Sequence, residues 1–506
     1  MRFGRAASSV LLVVVVVLAA LQSGAAPAAV GHHAQGRVSV AEPTVTVGRA
    51  LPVQPVKPGF LGLSIEYSAL GSYAGTDPSA VDPVLVHLIR NLTGGGPTVL
   101  RIGGNSTDRT WWPVAGVSRP PGADYTLTQD RLAVGAALAR ATNARLILGV
   151  NFEANSTTEA AAESRAMMTY IGPSLIDGLE LGNEPENYGG TWWYKRDGKE
   201  VFSRSQNWDF QSYLRDYRHI ADALGRVPLA GPATGSIGWM RHLGEYLDRE
   251  RVSVVTLHRY PLQSCGPRPG SPKYPTIPNF LSARASRGLA NQLREYVAVA
   301  HAHGKLVRNA EMNSVSCGPA RGSANTFASA LWALDTMFAM ASVGLDGVNV
   351  HTYQGLIDQL FAIKQVGSQW QGYVAPEYYG LLMFAQATPP GSRLLGVSGT
   401  PGISTLRAWA TRTPTGQTHV VLINDDTNHS QGVSLRLPGT RAGTIERLQA
   451  PSVRSTVGVT IGGQTFGSQT ATGLVPGPYH VNRVVASAGT FRVSLPAASA
   501  AMLSFR

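Results

Sequence analysis

Short apolar runs that end in polar residues recur eight times between Phe60 and Tyr353, and segments with helical spacing separate them. The runs begin at Phe60, Thr98, Arg145, Ile176, Val227, Val252, Lys305 and Leu345. Strands that alternate with helices over such a length form a parallel sheet. Eight such units predict a closed (β/α)8 TIM barrel over residues 57–386. A doubly wound open sheet is the alternative, but no Gly-rich phosphate-binding turn follows the first run.

The pattern changes near residue 387, where short β-type runs separated by Gly, Pro, Asn and Thr turns begin. Such runs predict an antiparallel β-sandwich domain over residues 387–506. The stretch from Arg37 to Val53 also alternates apolar and polar residues. We therefore expect residues 30–56 to supply N-terminal strands that complete the sandwich.

The N-terminus is typical of a secretory signal peptide over residues 1–29. Arg2 and Arg5 precede the apolar stretch Val10–Leu21, and Ala-rich cleavage candidates follow it. A signal anchor is the alternative, but the apolar stretch is short for a membrane span. The sequence predicts a secreted protein with no later membrane span.

The chain is basic, with a formal net charge of +12. A basic surface attracts acidic polymers or anionic sugars, although an Arg-rich composition produces the same charge without any such role. Nucleic-acid binding is not expected, because no dense Lys/Arg cluster or aromatic-interleaved basic stripe is present. The two cysteines, Cys265 and Cys317, allow one disulfide or two unpaired thiols.

The residues that end the eight runs are the candidates for a functional site, because barrel enzymes place their sites at the carboxyl ends of the strands. These residues are mainly carboxylates, amides and aromatics: Glu66, Tyr67, Arg101, Asn105, Asp108, Asn151, Glu153, Asn183, Glu184, His258, Tyr260, Glu311, Asn313, His351 and Tyr353. Zinc-type His or Cys pairs and serine nucleophile elbows are absent from the sequence. We expect no metal and no cofactor, and a lining of this kind suits a polyhydroxylated substrate.

Two glutamates stand out, since Glu184 ends the fourth run and Glu311 ends the seventh. Glycoside hydrolysis needs a protonated carboxyl group on the leaving oxygen and a second carboxylate at the anomeric carbon. A separation of about 5 Å predicts a retaining reaction, and Asn183 is placed to hold a sugar 2-hydroxyl. An isolated Asn-Glu-Pro sequence is equally typical of a plain turn, but its pairing with "NAEMNS" favours catalysis.

The motifs "LRIGGNSTD", "LELGNEPENY" and "AEMNS" together resemble the heparanase and β-glucuronidase family, glycoside hydrolase family 79 of clan A. The resemblance covers nearly the whole mature chain and implies the same barrel and β-sandwich. It also implies that Glu184 is the acid/base and Glu311 the nucleophile. By the same resemblance, Asp108 holds hydroxyls of the glycone and Tyr260 lies near the nucleophile.

The remaining polar residues near the motifs have less specific interpretations. Arg101 either pairs with Glu180 inside the barrel or hydrogen-bonds the nucleophile and keeps it ionised, and the second use is slightly favoured. His258 is a further candidate to support the nucleophile. We expect Glu66 to bind a sugar hydroxyl and Glu186 to be a loop residue at the rim of the cleft.

The sugar itself is set by loops. Uronate-specific members of the family bind the substrate carboxylate with residues after the nucleophile and after the eighth strand. Ser316 stands where these members often carry a Tyr, Gly318 can offer a backbone N–H, and Tyr353 can offer a phenol. A bond between Cys265 and Cys317 would tie the loops after strands six and seven at the rim of the glycone pocket, or it would be purely structural.

The leading interpretation is a secreted, monomeric, exo-acting β-glucuronidase that acts on a carbohydrate or glycoside, with an anionic sugar as one possibility. A β-glucosidase or diglycosidase and an endo heparanase-like enzyme are alternatives on the same scaffold. A non-catalytic carbohydrate-binding protein is the alternative from another class. The loss of Glu184 or Glu311 would be its signature, and both residues are present.

Overall fold

The computed structural model describes residues 42–318, 320–399 and 404–506. The predicted signal peptide and the first part of the predicted N-terminal strands lie outside these residues. Within these ranges, no helix has both the length and the apolar character that crossing a membrane requires.

Eight parallel strands close into a barrel and follow one another around it in chain order. Their bounds are Leu61–Glu66, Thr98–Gly103, Ala144–Val150, Ile176–Leu181, Leu229–Thr234, Val254–His258, Leu306–Met312 and Gly347–Thr352. The eighth strand pairs with the first, with Val348 opposite Leu61, and this pairing closes the barrel. The predicted barrel is confirmed, and each of the eight apolar runs is one of its strands.

Burial on both faces explains why these strands read as continuous apolar runs. Every residue of the strands Leu61–Glu66, Thr98–Gly103 and Leu229–Thr234 is buried. Helices cover the outer face of a parallel barrel, and side chains from the strands fill its interior. Polar residues are therefore tolerated only where they find partners, and most of those in this barrel occur near the carboxyl ends.

Nine helices of seven or more residues are present in the described ranges. They span Tyr67–Ala74, Pro83–Asn91, Gln129–Thr142, Thr157–Tyr170, Phe210–Leu224, Leu243–Arg249, Arg294–Ala302, Phe327–Ser342 and Pro376–Ala387. Shorter helical turns span Gly104–Arg109, Pro173–Leu175, Pro185–Asn187, Ile237–Met240, Ile277–Phe280, Arg284–Gly288 and Leu289–Asn291. Side-chain caps fix several starts: the Asp82 carboxylate accepts from the backbone N–H groups of Val84 and Leu85 at 2.8 and 3.1 Å.

Besides the barrel, the protein contains a ten-stranded sheet. Its strands span Thr44–Ala50, Arg393–Ser398, Leu406–Arg412, Thr418–Asn424, Gln431–Arg436, Ala442–Gln449, Thr460–Ile461, Asn482–Val485, Phe491–Leu495 and Ser499–Phe505. The strand Thr44–Ala50 lies inside the sheet, antiparallel to Arg393–Ser398 and parallel to Gln431–Arg436. All other pairs in this sheet, among the described residues, are antiparallel.

The sheet folds over on itself. Val45, Leu422, Val433, Val493 and Leu503 come from strands spread across the sheet, yet they share one buried apolar cluster. Such a shared interior between two faces is the core of a β-sandwich. The predicted C-terminal β-sandwich, completed by an N-terminal strand, is therefore confirmed.

The sandwich packs on the barrel through an aromatic contact. Trp409 of the sheet stacks on Phe338 of the barrel helix Phe327–Ser342, with ring centroids 5.6 Å apart. Its indole N–H donates to the Asp335 carboxylate on the same helix at 2.6 Å. This contact ties the sheet to the helix that follows the seventh barrel strand.

The described residues also contain four small two-stranded sheets. They pair Thr110–Trp111 with Tyr125–Thr126, Tyr194–Arg196 with Lys199–Val201, Leu262–Gln263 with Val315–Ser316, and Phe361–Val366 with Gln369–Val374. The third of these joins the loops that follow the sixth and seventh barrel strands. These two loops therefore form one side of the barrel mouth together.

Candidate active site

A cavity of about 870 Å³ opens at the carboxyl ends of the barrel strands. Most of the residues predicted from the sequence line it: Glu66, Glu184, His258, Tyr260, Glu311, Ser316, Cys317 and Gly318. They come from the ends of the first, fourth, sixth and seventh strands and from the loops beyond them. The topology thus brings together side chains that are up to 252 positions apart in the sequence.

Glu184 and Glu311 face each other in this cavity. One carboxylate oxygen of each residue and one ring nitrogen of His258 lie within 4.8 Å of one another. Retaining glycosidases hold their two carboxyl groups about 5 Å apart, whereas inverting enzymes leave room for a water between them. The same three side chains could ligate a metal ion, but both oxygens of Glu311 already accept hydrogen bonds from Arg101 and Tyr260.

Arg101 is fully buried and serves both of the uses considered for it. Its Nε donates to Glu180 at 2.6 Å and its Nη1 donates to Glu311 at 2.6 Å. Its Nη2 donates to the Asn183 side-chain oxygen at 2.8 Å. One guanidinium therefore neutralises a carboxylate deep in the barrel and orients two residues of the candidate site.

The environment of Glu311 keeps it ionised. Burial alone would raise the pKa of this carboxyl, but the charges of His351, His258 and Arg101 and the hydrogen bond from Tyr260 lower the pKa to about 2. The Tyr260 hydroxyl donates to Oε1 at 2.9 Å. A carboxylate that stays charged and is held by two donors is suited to nucleophilic attack.

The backbone presents Glu184 in an unusual way. Its φ is +48°, in the left-handed region that side chains other than glycine rarely adopt, and Pro185 follows it. Its backbone N–H donates to the Ala233 carbonyl at 3.0 Å, and a short helical turn then begins. The Glu184 side chain, which is about 29% exposed, lies 3.2 Å from His258 Nδ1 and accepts from Asn187 at 3.2 Å.

Glu186 is half-buried at the cavity, in the short helical turn after Glu184. Its carboxylate accepts from the Gly235 backbone N–H at 2.6 Å and from the Thr234 hydroxyl at 2.8 Å. Burial and then the charge of Glu184 raise the pKa of Glu186 to about 7. The helical turn Pro185–Asn187 points this side chain back towards the fifth strand, so both glutamates line the cavity.

Asp108 accepts four hydrogen bonds beside the candidate site. Its two oxygens accept from the backbone N–H groups of Phe152, Glu153 and Asn183 and from the Tyr188 hydroxyl, at 2.6–3.1 Å. A carboxylate has about four acceptor positions, and all are occupied here. Asp108 therefore ties the loops after the second, third and fourth strands together, and its contact with glycone hydroxyls stays a prediction.

Glu66 and His351 form a pair at the end of the first and eighth strands. Glu66 accepts from the backbone N–H groups of Asn105 and Ser106 at 3.0 and 2.7 Å, and His351 Nε2 lies 3.5 Å from it. Burial would lower the pKa of His351, but the carboxylates of Glu66 and Glu311 raise it to about 9. An imidazolium therefore lines the cavity beside the candidate nucleophile.

Sequence reasoning gave His351 no role, although its place at the end of the eighth run was a signal. Asp358 also lines the cavity, and its pKa is raised to about 6 by burial, against the opposing charge of His351. Asp358 belongs to the loop after the eighth strand, which the family resemblance indicated as a whole, but no periodicity singled out this residue.

The loop after the seventh strand lies where it was expected. Ser316, Cys317 and Gly318 line the cavity, and Cys317 forms a disulfide with Cys265, with Cα atoms 5.5 Å apart. Tyr353 is not among the residues that line the cavity. It packs against the apolar core instead, because the chain turns immediately after the eighth strand and presents Leu356 and Asp358 to the cavity.

A second cavity of about 350 Å³ adjoins the first. The two share Asn105, Glu184 and Asn187, so Glu184 lies on their common boundary. Trp192 and Trp193 line the second cavity, and aromatic rings of this kind are common in ligand pockets. The adjacent tryptophans after the fourth strand were a sequence signal that the motif search did not use.

Three comparisons with known proteins bear on this site. The model of the glycosyl hydrolase family 79 C-terminal beta domain matches residues 408–502. A β-glucuronidase of Neurospora crassa is 24% identical over 436 residues, which cover 75% of this chain and 74% of that protein.

Solved structures share the fold. A 4-O-α-L-rhamnosyl-β-D-glucuronidase of Fusarium oxysporum matches 91% of this chain and 99% of its own, with a TM-score of 0.69 and 19% identity. A GH51 arabinofuranosidase of Xanthomonas axonopodis pv. citri covers 92% of this chain and 100% of its own, with a TM-score of 0.64 and 14% identity. At these identities the likeness is one of fold.

The TIM barrel, the facing carboxylates on its fourth and seventh strands and these relatives together identify a glycoside hydrolase. More particularly, the C-terminal β domain and the β-glucuronidase relative confirm the resemblance to glycoside hydrolase family 79.

Proposed function

We propose that this glycoside hydrolase is a secreted, retaining, exo-acting β-glucuronidase. The observation that carries the mechanism is the pair Glu184 and Glu311, with carboxylate oxygens less than 5 Å apart. Support for the two roles comes from their surroundings. Glu311 is held ionised by Arg101 and Tyr260, whereas Glu184 is partly exposed and has another carboxylate, Glu186, beside it.

The reaction proceeds in two displacements. In the first, Glu311 attacks the anomeric carbon while Glu184 gives its proton to the glycosidic oxygen, and the bond between that carbon and oxygen breaks. In the second, Glu184 takes a proton from water, the water attacks the same carbon, and the ester to Glu311 breaks. The sugar leaves with its original configuration.

Asn183 is proposed to hold the sugar 2-hydroxyl. Its side-chain oxygen accepts from Arg101 and its Nδ2 donates to Asn105 at 3.1 Å, so the amide orientation is fixed before substrate arrives. A prepositioned amide stabilises the transition state without reorganisation.

Three features support a uronate in the glycone site. The imidazolium of His351 and the loop Ser316–Gly318 line the cavity, and the matched relative is a β-glucuronidase. The disulfide that links this loop to Cys265 supports a closed glycone end and therefore exo action. The signal-like pattern of residues 1–29 supports secretion.

A neutral β-glucoside is the second candidate, and two observations favour it. Ser316 replaces the Tyr that uronidases often carry, and the carboxyl group of Asp358 lines the same cavity as an unfavourable neighbour for a uronate. A charge on Asp358 would repel the substrate carboxylate of a uronate. A neutral sugar carries no charge and would meet no such repulsion.

A panel of 4-nitrophenyl β-glycosides tests the assignment. We expect kcat/KM on the glucuronide to exceed that on the glucoside, galactoside and xyloside by at least about tenfold, which corresponds to one favourable ionic contact of about 1.4 kcal/mol. Proton NMR of the first product should show the β anomer. Higher activity on the glucoside would replace glucuronate by a neutral sugar and leave the mechanism intact. An α product would contradict the retaining mechanism.

A further inference from the structure

Glu186 carries a half-buried carboxylate that the two-displacement reaction does not use. Its two oxygens accept from Thr234 and from the backbone N–H of Gly235, both at the end of the fifth strand. The place that a Cβ atom on Gly235 would occupy is 3.1 Å from Glu184 Oε1 and 3.3 Å from Glu186 Oε1. The two carboxyl groups therefore meet over Gly235, where the glycine leaves the gap between them open.

Hydrogen bonds of the backbone and of Trp208 hold this arrangement. Pro185 separates the two glutamates, and the turn closes through a hydrogen bond from the Asn187 N–H to the Glu184 carbonyl at 2.9 Å. The Trp208 indole N–H also donates to the Pro185 carbonyl at 2.7 Å. The sequence "NEPEN" thus fixes two carboxyl groups two positions apart on the same side of the turn.

We propose that Glu186 is a positioning residue that keeps the acid/base Glu184 protonated for the first displacement. This inference rests on the proposed role of Glu184. Two nearby carboxyl groups disfavour the state in which both are ionised, so the pair retains a proton at higher pH than one carboxyl group alone. Both carboxyl groups line the cavity and share the retained proton. When Glu184 holds it, the donors from Thr234 and Gly235 stabilise the ionised form of Glu186.

Other charged groups pack around the pair. From the end of the sixth strand, His258 contacts Glu184, and Arg259 donates to the Gly235 carbonyl at 2.9 Å. Glu311 approaches from the seventh strand, within 4.8 Å of Glu184. Arg259 and His258 limit the repulsion between the carboxylates, whereas Glu311 adds to it.

A purely structural role for Glu186 is the competing explanation, because its hydrogen bonds also anchor the turn to the fifth strand. The variant Glu186→Gln distinguishes the structural role from the positioning role. Its amide oxygen can still accept from Gly235 and its NH₂ group can donate to Thr234, so the anchor is kept and only the charge is lost. Glu295→Gln is the matched control, since Glu295 is exposed and remote from the cavity residues.

The experiment is the pH profile of kcat/KM for full-length wild type, Glu186→Gln and Glu295→Gln on a β-glycoside with a poor leaving group. For Glu186→Gln we expect the alkaline limb to move to lower pH by about one unit, with about tenfold lower kcat/KM above that limb. The acidic limb of Glu186→Gln and the whole pH profile of Glu295→Gln should coincide with those of the wild type. The loss should be smaller on a 2,4-dinitrophenyl glycoside, which needs less acid help.

An alkaline limb of Glu186→Gln that coincides with the wild type would overturn the inference. A uniform loss of activity at all pH values would do the same, because it would indicate a structural role. Failure of the proposed function gives a different result. In that case Glu184→Ala itself would show equal losses on good and poor leaving groups, whatever the behaviour of Glu186→Gln.

Discussion

The Arg101 guanidinium donates to the Glu311 carboxylate over 2.6 Å from a side chain with no solvent exposure. The same guanidinium pairs with Glu180, which is equally buried. One arginine therefore serves the barrel interior and the candidate site at once. Charges buried in this way depend strongly on their partners, because removing one partner leaves the other charge buried and uncompensated.

Replacing Arg101 tests this dependence. In Arg101→Met the carboxylate of Glu180 stays buried without its partner, so we expect the free energy of unfolding to fall by about 3–5 kcal/mol. Urea denaturation at neutral pH measures the difference. The exposed Arg294→Met serves as the control and should change stability by less than about 0.5 kcal/mol. A loss below about 1 kcal/mol in Arg101→Met would contradict the buried-pair argument.

Removing the nucleophile should stop the reaction. In Glu311→Ala no carboxylate remains to attack the anomeric carbon, and we expect kcat to fall by at least about 10⁴-fold on any β-glycoside substrate. The measurement is steady-state kinetics on the best nitrophenyl glycoside, with circular dichroism to establish folding. Turnover within about tenfold of the wild type would show that Glu311 is not the nucleophile.

The acid role of Glu184 predicts a dependence on the leaving group. Glu184→Ala should lose about 10²–10⁴-fold in kcat/KM on a glycoside with a poor leaving group, because no proton reaches the departing oxygen. The 2,4-dinitrophenolate group departs without that proton, so the variant should keep most of its kcat/KM on a 2,4-dinitrophenyl glycoside. Comparing the two substrates on the same preparation removes the effect of misfolded protein. Equal losses on both would assign Glu184 another role.

The barrel and its two main glutamates could be predicted because they follow from periodicity. Apolar runs mark strands buried on both faces, and residues that end such strands share one mouth of the barrel. Glu311 lies near the end of the seventh strand and Glu184 lies just beyond the fourth, so the order of the strands predicts that the two residues meet at the barrel mouth. Thr44–Ala50 was also predictable as a strand, because apolar and polar residues alternate in this part of the sequence, as is typical of β-strands.

Side-chain direction beyond the strand ends could not be predicted. Glu186 turns back towards the fifth strand because Pro185–Asn187 forms a helical turn, and periodicity does not describe that turn. Asp108 follows the second strand as expected, but backbone N–H groups from distant loops saturate it. Tyr353 follows the eighth strand as expected, but it packs against the apolar core and does not line the cavity. In each case the partner lies on another element, and spacing along one element carries no information about it.

The pKa of His351 makes stability depend on pH. Its folded value of about 9 lies above the usual value of 6.5. The protonated form therefore stabilises the fold below about pH 6.5, and this contribution disappears as the pH rises through 9. A shift of this size corresponds to about 3 kcal/mol.

Comparing wild type with His351→Gln isolates the contribution from other buried groups that titrate in the same range. We expect the unfolding free energy of the wild type to fall more than that of His351→Gln between pH 6 and pH 9.5, by up to about 3 kcal/mol. Equal falls in both proteins would show that His351 is not protonated in the folded state.

The disulfide between Cys265 and Cys317 joins two loops that both border the cavity, so its removal should affect stability and binding in different ways. The bond closes a segment with a sequence separation of 52 residues. A cross-link over such a segment stabilises a fold by up to about 4 kcal/mol through the unfolded chain. The double variant Cys265→Ser/Cys317→Ser should lose part of this stability, and thermal unfolding measures the loss.

If the bond also fixes the loop Ser316–Gly318 around the sugar, KM of this double variant should rise several-fold while kcat changes little, since Glu184 and Glu311 are held by the barrel itself. An unchanged KM together with reduced stability would make the disulfide purely structural.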